Sequence, residues 1–230
     1  MSAMQFGKTD INIQNKIHTM KMTKTKLAKG FTLVELLVVI AIIAALAALS
    51  TPVVLKQQKK ANATEAINNA KQIYLLMFEH DQDEGAFPAT GTDANTNFRK
   101  FITDGYTTSE DIFYAKTAFT VKPDGNTTLL EGVAAGENGF LYVEGLGSTS
   151  PSNAPIVATP QLTAGLVATF DKNAFGGTAV VLRNDGGVKT FRINTSDQIT
   201  EESSGAVADV FLAARMTALG GTIVAPVAAP

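Results

Sequence analysis

The sequence predicts an α+β protein: a long N-terminal helix, transmembrane in its first half and amphipathic in its second, packed on a small antiparallel-sheet head. Three observations carry that expectation. Between Phe31 and Leu55 there is one ionisable residue, Glu35, in twenty-five positions. Residues 56–84 keep a helical pattern but confine their apolar side chains to one stripe. Beyond Gly85 the chain turns to short β-branched runs separated by turn residues, the best of them "TAVVLRNDGGVKTFRIN".

Charge orders these parts. The 230 residues carry a net charge of −2, but residues 1–30 hold six Lys and one Asp, whereas residues 31–230 hold thirteen basic and twenty acidic side chains. A basic leader, an apolar run and an acidic remainder describe an oriented membrane protein and not a nucleic-acid binder. Lys21, Lys24, Lys26 and Lys29 stand just before the run, so that end is expected in the cytoplasm and the head outside the inner membrane. Residues 1–30 read as a leader, with Met4, Met20 and Met22 as alternative starts to Met1. There is no Cys and no Trp, so stability comes from packing rather than from disulfides or thiolate-bound metal.

About 20 apolar residues cross a bilayer core, so residues 31–55 are long enough to span it. The helix then continues through "KQQKKANATEAINNAKQIYLLMF", where Ala63, Ala66, Ile67, Ala70, Ile73, Tyr74 and Met77 recur at three- and four-residue spacing. Lys60, Glu65, Asn68, Asn69 and Lys71 fall mostly off that stripe. A helix from Phe31 to Phe78 would be roughly 70–75 Å long at 1.5 Å per residue. The acids Glu79, Asp81, Asp83 and Glu84 oppose the dipole at a C-terminus, and Gly85 supplies the stop. The expected divisions are therefore a leader over 1–30, an apolar assembly helix over 31–55, an amphipathic helix over 56–84 and a globular head over 85–230.

In the head, "TNFRKFITDG" and "TSEDIFYAK" read as short helical turns, the second capped by Thr108 or Ser109. Strand-like pieces are Phe119–Lys122, Thr127–Leu130, Gly139–Glu144 and Leu166–Phe170. Asn184-Asp185-Gly186-Gly187 supplies hairpin residues that accept positive φ. "GSTSPSNAPIVATP" reads as a Pro/Ser loop. Residues 201–219 read as a last amphipathic helix with Val207, Val210, Phe211 and Ala214 on one face.

Catalytic chemistry finds no constellation. The two histidines are His18, in the leader, and His80, next to Asp81 and Asp83 at a helix end, where a solvated side chain is expected and not a metal ligand. No HExxH, P-loop or strand-borne GxGxxG is present. The chain is expected to be a substrate of enzymes, not an enzyme, and to need no cofactor.

Glu35 is the anomaly. A carboxylate at the centre of a spanning helix costs about 2.5–3.5 kcal/mol; in the first turn the dipole returns about 0.3–1 kcal/mol of that. A cation one turn earlier would answer the rest. Cleavage between Gly30 and Phe31 would create one, the new α-amine of Phe31, able to pair with Glu35 of its own or a neighbouring chain.

Those residues carry a resemblance. "KGFTLVELLVVIAI", with Lys29, Gly30, Phe31, Thr32, Leu33 and Glu35, resembles the class III signal of type IV pilins and type II secretion pseudopilins. The resemblance reaches Pro52 and covers residues 29–85 well, "FPAT" included; the head beyond residue 90 is only loosely similar. It implies cleavage after Gly30 by a prepilin peptidase, N-methylation of Phe31, and polymerisation through the N-terminal helix with Glu35 setting the register. Pro52 cannot donate to the carbonyl of Ala48, which implies a loosened helix there; a helix end at the membrane surface, helped by Ser50 and Thr51, is the other reading. Implied partners are copies of the chain or related pilins, the peptidase, an inner-membrane assembly platform and membrane lipid. Some major pseudopilins hold calcium in head loops, and Asp171, Asp185 and Asp197 offer oxygens, but their spacing is that of turn residues and no metal is assigned. The lack of Cys, where type IV pilins commonly close a C-terminal disulfide loop, tilts the reading toward a pseudopilin. A secretory signal ending near Ala45-Leu46-Ala47 and a membrane-anchored extracytoplasmic binding module that never polymerises are the competing readings.

Overall fold

The computed structural model describes residues 30–128, 132–162, 169–203, 206–211 and 213–228. Residues up to Ala47 and residues from Ala48 onward form two separate units. One α-helix, α1, covers Leu33–Glu84, with Pro52 inside it, so the helix neither ends nor melts at the proline. Its apolar N-terminal part is long and hydrophobic enough to cross a membrane, and Leu33, Leu36, Ile40, Ile43 and Leu46 are all exposed. Gly85, at φ +75°, ends α1 and donates its N–H to the carbonyl of Asp81. A left-handed residue at this position is the usual helix stop, and glycine adopts it without a Cβ penalty.

The head is α+β, as expected. Helix α2 (Ala94–Thr103) is capped by Asp93, whose side chain accepts from the Thr96 N–H at 2.8 Å. A 3₁₀ turn follows at Asp111–Phe113. Five strands, β1 (Leu141–Glu144), β2 (Pro155–Thr159), β3 (Thr178–Arg183), β4 (Val188–Arg192) and β7 (Thr222–Val224), form an antiparallel sheet in the order β4-β3-β2-β1-β7. Strands β5 (Thr200–Ser203) and β6 (Ala206–Asp209) pair separately, and α3 covers Ala213–Leu219.

The stripe on α1 is the seam of the core. Ala66, Ala70, Ile73 and Met77 are fully buried; Ala63, Ile67 and Tyr74 are partly so. They join one cluster with Phe98, Phe101, Phe113, Phe140 and Tyr142. Phe98 and Phe113 stack with centroids 5.0 Å apart. The β3–β4 hairpin closes on the same helix. Arg183 and Gly187 pair across a loop in which Gly186 has φ +74°, the three-residue hairpin that needs a left-handed glycine. A Cβ on Gly186 would lie 2.7 Å from the Tyr74 ring, whose hydroxyl donates to the Asn184 carbonyl at 3.3 Å.

Several expected elements are different in the structure. Phe119–Lys122 is irregular; the Thr120 hydroxyl bonds back to the Ala115 carbonyl, a local partner that competes with ladder formation. Thr127 and Thr128 are irregular too, and residues 129–130 lie outside the described residues, as do 166–168; Phe170 makes a single bridge to Gln161. Pro155–Thr159 of the Pro/Ser "loop" is β2, buried along its whole length, so it lacks the alternation that marks a half-exposed strand. Residues 201–219 split into β5, β6 and a helix that starts only at Ala213, because the backbone from Thr200 to Ser203 pairs antiparallel with Ala206–Asp209. The 3₁₀ turn has Glu110 at its start and no side-chain cap from Thr108 or Ser109. Asn69, expected off the stripe, is buried and donates to the carbonyls of Asp111 and Tyr114. His80 is buried as well, with Nδ1 2.7 Å from the Ala86 carbonyl and its ring against Phe101 and Tyr106.

A Cβ on Gly139 would sit 2.3 Å from the Ala115 carbonyl oxygen, backbone that cannot swing aside. Gly139→Ala is expected to destabilise the head by about 2 kcal/mol or more. Gly85→Ala, strained only by its φ, should cost about 1 kcal/mol. Urea unfolding of the detergent-solubilised chain, followed by circular dichroism, ranks the two.

Candidate functional site

The residues around the expected cleavage point leave the helix in a defined way. Gly30, Phe31 and Thr32 precede α1, outside regular structure, and all are exposed, Phe31 at 83%. A Cβ on Gly30 would meet nothing within 4 Å, and its φ is not in the left-handed region. Among the described residues, nothing therefore requires glycine at position 30.

Thr32 and Glu35 close the first turn on each other. The Thr32 N–H donates to Glu35 Oε2 at 2.8 Å, the Glu35 N–H donates to Thr32 Oγ1 at 3.2 Å, and the Thr32 hydroxyl also donates to Oε2 at 2.9 Å. This reciprocal pairing of an N-cap threonine with a glutamate three residues later is a capping box. It satisfies two of the orphan N–H groups at the helix start and places the carboxylate at the positive end of the dipole. The uncut chain thus has an answer to the Glu35 charge that does not use the Phe31 amine. Thr-x-x-Glu stands in the sequence as a signal of this, and Thr32 is the residue the charge argument overlooked.

In the head, three carboxylates converge. Oxygens of Glu110, Asp124 and Glu137 lie within 4.8 Å of one another, and Glu110 and Glu137 are buried. Backbone N–H groups already bond both buried acids: Gly125 and Val133 donate to Glu110, Asp124 and Ala134 to Glu137. They tie down a loop in which buried Val133 is held at φ +55°, a strained conformation for a β-branched residue. Arg99 and Asn95 hold the same residue by donating to its carbonyl. Burial, then the charge of Glu137, raises the Glu110 pKa above its ordinary 4.5. The expected oxygen donors behave as turn residues: Asp171 accepts from the Asn173 N–H, Asp185 from that of Gly187, and Asp197 pairs with Lys172 at 3.1 Å. A fourth buried acid, Glu144 at the end of β1, accepts from Thr90, Gly91 and Asn97. These acids were not legible as anchors, because apart from Ala134, three residues before Glu137, their donors come from distant positions.

Comparison with known proteins agrees with the N-terminal geometry. Residues 25–51 match the family described as the prokaryotic N-terminal methylation motif. Residues 25–51 therefore match the prepilin signal of type IV pilins and pseudopilins. No curated protein and no solved structure matches the chain.

Removing the N-cap hydroxyl in Thr32→Ala is expected to destabilise the first turn of α1 by about 1 kcal/mol. Amide exchange at residues 33–36 should quicken, and Thr32→Ser should keep it slow. Glu110 gives a pH prediction. Its folded-state pKa is raised, so the cost of ionising it is full above that pKa and absent below the unfolded value. Stability relative to Glu110→Gln should therefore rise as pH falls from neutral toward about 4.5, read as the difference in urea midpoints.

Proposed function

We propose that this chain is a prepilin-like structural subunit, cut between Gly30 and Phe31 by a prepilin peptidase and N-methylated on Phe31. The leader, residues 1–30, stays in the cytoplasm; residues 31–55 hold the subunit in the inner membrane as a single pass; the head, continued from the amphipathic helix over 56–84, lies outside. An assembly platform then draws the subunit into a filament with copies of itself or related pilins. The observation that carries this reading is the pairing of a methylation-motif match over residues 25–51 with a Gly30 whose glycine character no neighbour among the described residues needs.

Polymerisation has a physical drive in the apolar surface of residues 33–55, where large side chains are 46–85% exposed. Transfer of that surface from lipid to protein relies on packing more than on the hydrophobic effect, so charge has to set the register. Glu35 supplies it once cleavage frees the Phe31 amine, exchanging its bonds with Thr32 for an ion pair with a neighbouring chain. Pro52, which cannot complete the bond to Ala48, is the position at which α1 loosens during that packing. The absence of Cys favours a type II secretion pseudopilus over a type IV pilus.

Mass spectrometry of the protein isolated from cells should find a mature N-terminus at Phe31 carrying one added methyl group. An N-terminus upstream of Gly30, or one created after Ala47, contradicts the proposal. Glu35→Ala should still be cut but should yield no filaments by electron microscopy, whereas an anchored binding module would be indifferent to that change.

A further inference from the structure

The apolar run ends at Leu55, and Lys56, Lys59 and Lys60 follow it at once. Leu55 and Lys59 line a surface groove of about 320 Å³, walled also by Asn62, Lys116, Asp171 and Asn173. The groove is held in shape by the head. Lys59 is half-buried, and a Cβ on Gly176 would lie 4.0 Å from the Lys59 Cβ. The Lys116 backbone belongs to a segment pinned by the bond from the Thr117 N–H to the Thr120 hydroxyl, 2.8 Å, and from that hydroxyl to the Ala115 carbonyl.

The charge in the groove is uneven. Neither Lys59 nor Lys116 makes an ion pair among the described residues. Asp171 is the one acid in the wall; it is buried, and its Oδ1 is taken by the Asn173 N–H at 2.7 Å. The neighbouring Lys172 is already paired with Asp197. Lys59 and Lys116 thus line one groove with Asn62, Asn173 and Asp171, immediately beyond the last apolar residue of a membrane-length run. A bilayer places anionic phosphate at that level, just outside its hydrocarbon.

We propose that this groove seats the phosphodiester of an anionic phospholipid in the outer leaflet of the inner membrane, with Lys59 and Lys116 as its cationic partners. The docked lipid steadies the head on the membrane surface before assembly. The inference rests on the anchored reading given under Proposed function, but is tested separately from it.

The mature full-length chain is reconstituted into nanodiscs of phosphatidylcholine alone and of phosphatidylcholine mixed with phosphatidylglycerol. Amide exchange is followed at residues 116–118 and 171–174. The anionic discs should slow exchange there about fivefold or more, the factor expected of one lysine near an anionic surface (about 1 kcal/mol). Lys59→Glu combined with Lys116→Glu should erase the difference while leaving exchange in β2 and β3 unchanged, which shows that the variant is folded. Equal exchange in the two compositions overturns the proposal, as does equal protection by free glycerol phosphate added to the neutral discs. If the chain does not co-elute with discs of either composition, the anchored reading fails first.

Discussion

The head is built on a single apolar seam. Ala66, Ala70, Ile73 and Met77 are fully buried along one side of α1, and two of the four are alanines. Small side chains let neighbouring backbone approach closely, which is how Asn69 reaches the carbonyls of Asp111 and Tyr114 and how Gly186 comes to rest on Tyr74. The aromatic cluster of Phe98, Phe101, Phe113 and Tyr142 then fills the space over the seam. Without that stripe the strands would have no apolar face to cover.

Polar groups buried around the core have structural work to do. Tyr142 donates to the Pro88 carbonyl at 2.8 Å, and burial pushes its phenol pKa up so that it remains a donor. Asn95 accepts from Asn138 and from the Val227 N–H and donates to the carbonyls of Val133 and Ala134. It thereby fastens the C-terminal segment and the strained Val133 to α2. Glu110, Glu137 and Glu144 do the same for loops, each accepting from backbone N–H groups. Such groups cost free energy when buried unless they are bonded. A head of many short strands and long connections, with no disulfide, needs anchors of this kind.

The N-terminal region follows a different logic, in which the apolar side chains pack on nothing else among the described residues. Phe31 and a run of leucines, isoleucines and valines are exposed, and among the described residues nothing lies within 4 Å of a Cβ at Gly30. The Thr32–Glu35 capping box gives the carboxylate local donors in that apolar setting.

How much could be read in advance depended on the range of the interaction. The helix, its stripe, its stop at Gly85, the Asn184–Gly187 hairpin and the methylation motif over residues 25–51 are local patterns: period, cap, turn residue and motif lie within a few positions of one another. The sequence by itself determined those. Only the tertiary structure decided that "PIVAT" is a central strand, that Ala206–Asp209 pairs as a strand and does not coil, that His80 is buried, and that Glu110 and Glu137 meet. Each of these depends on backbone or side-chain partners brought from distant positions, and a fully buried strand has no alternation to announce it.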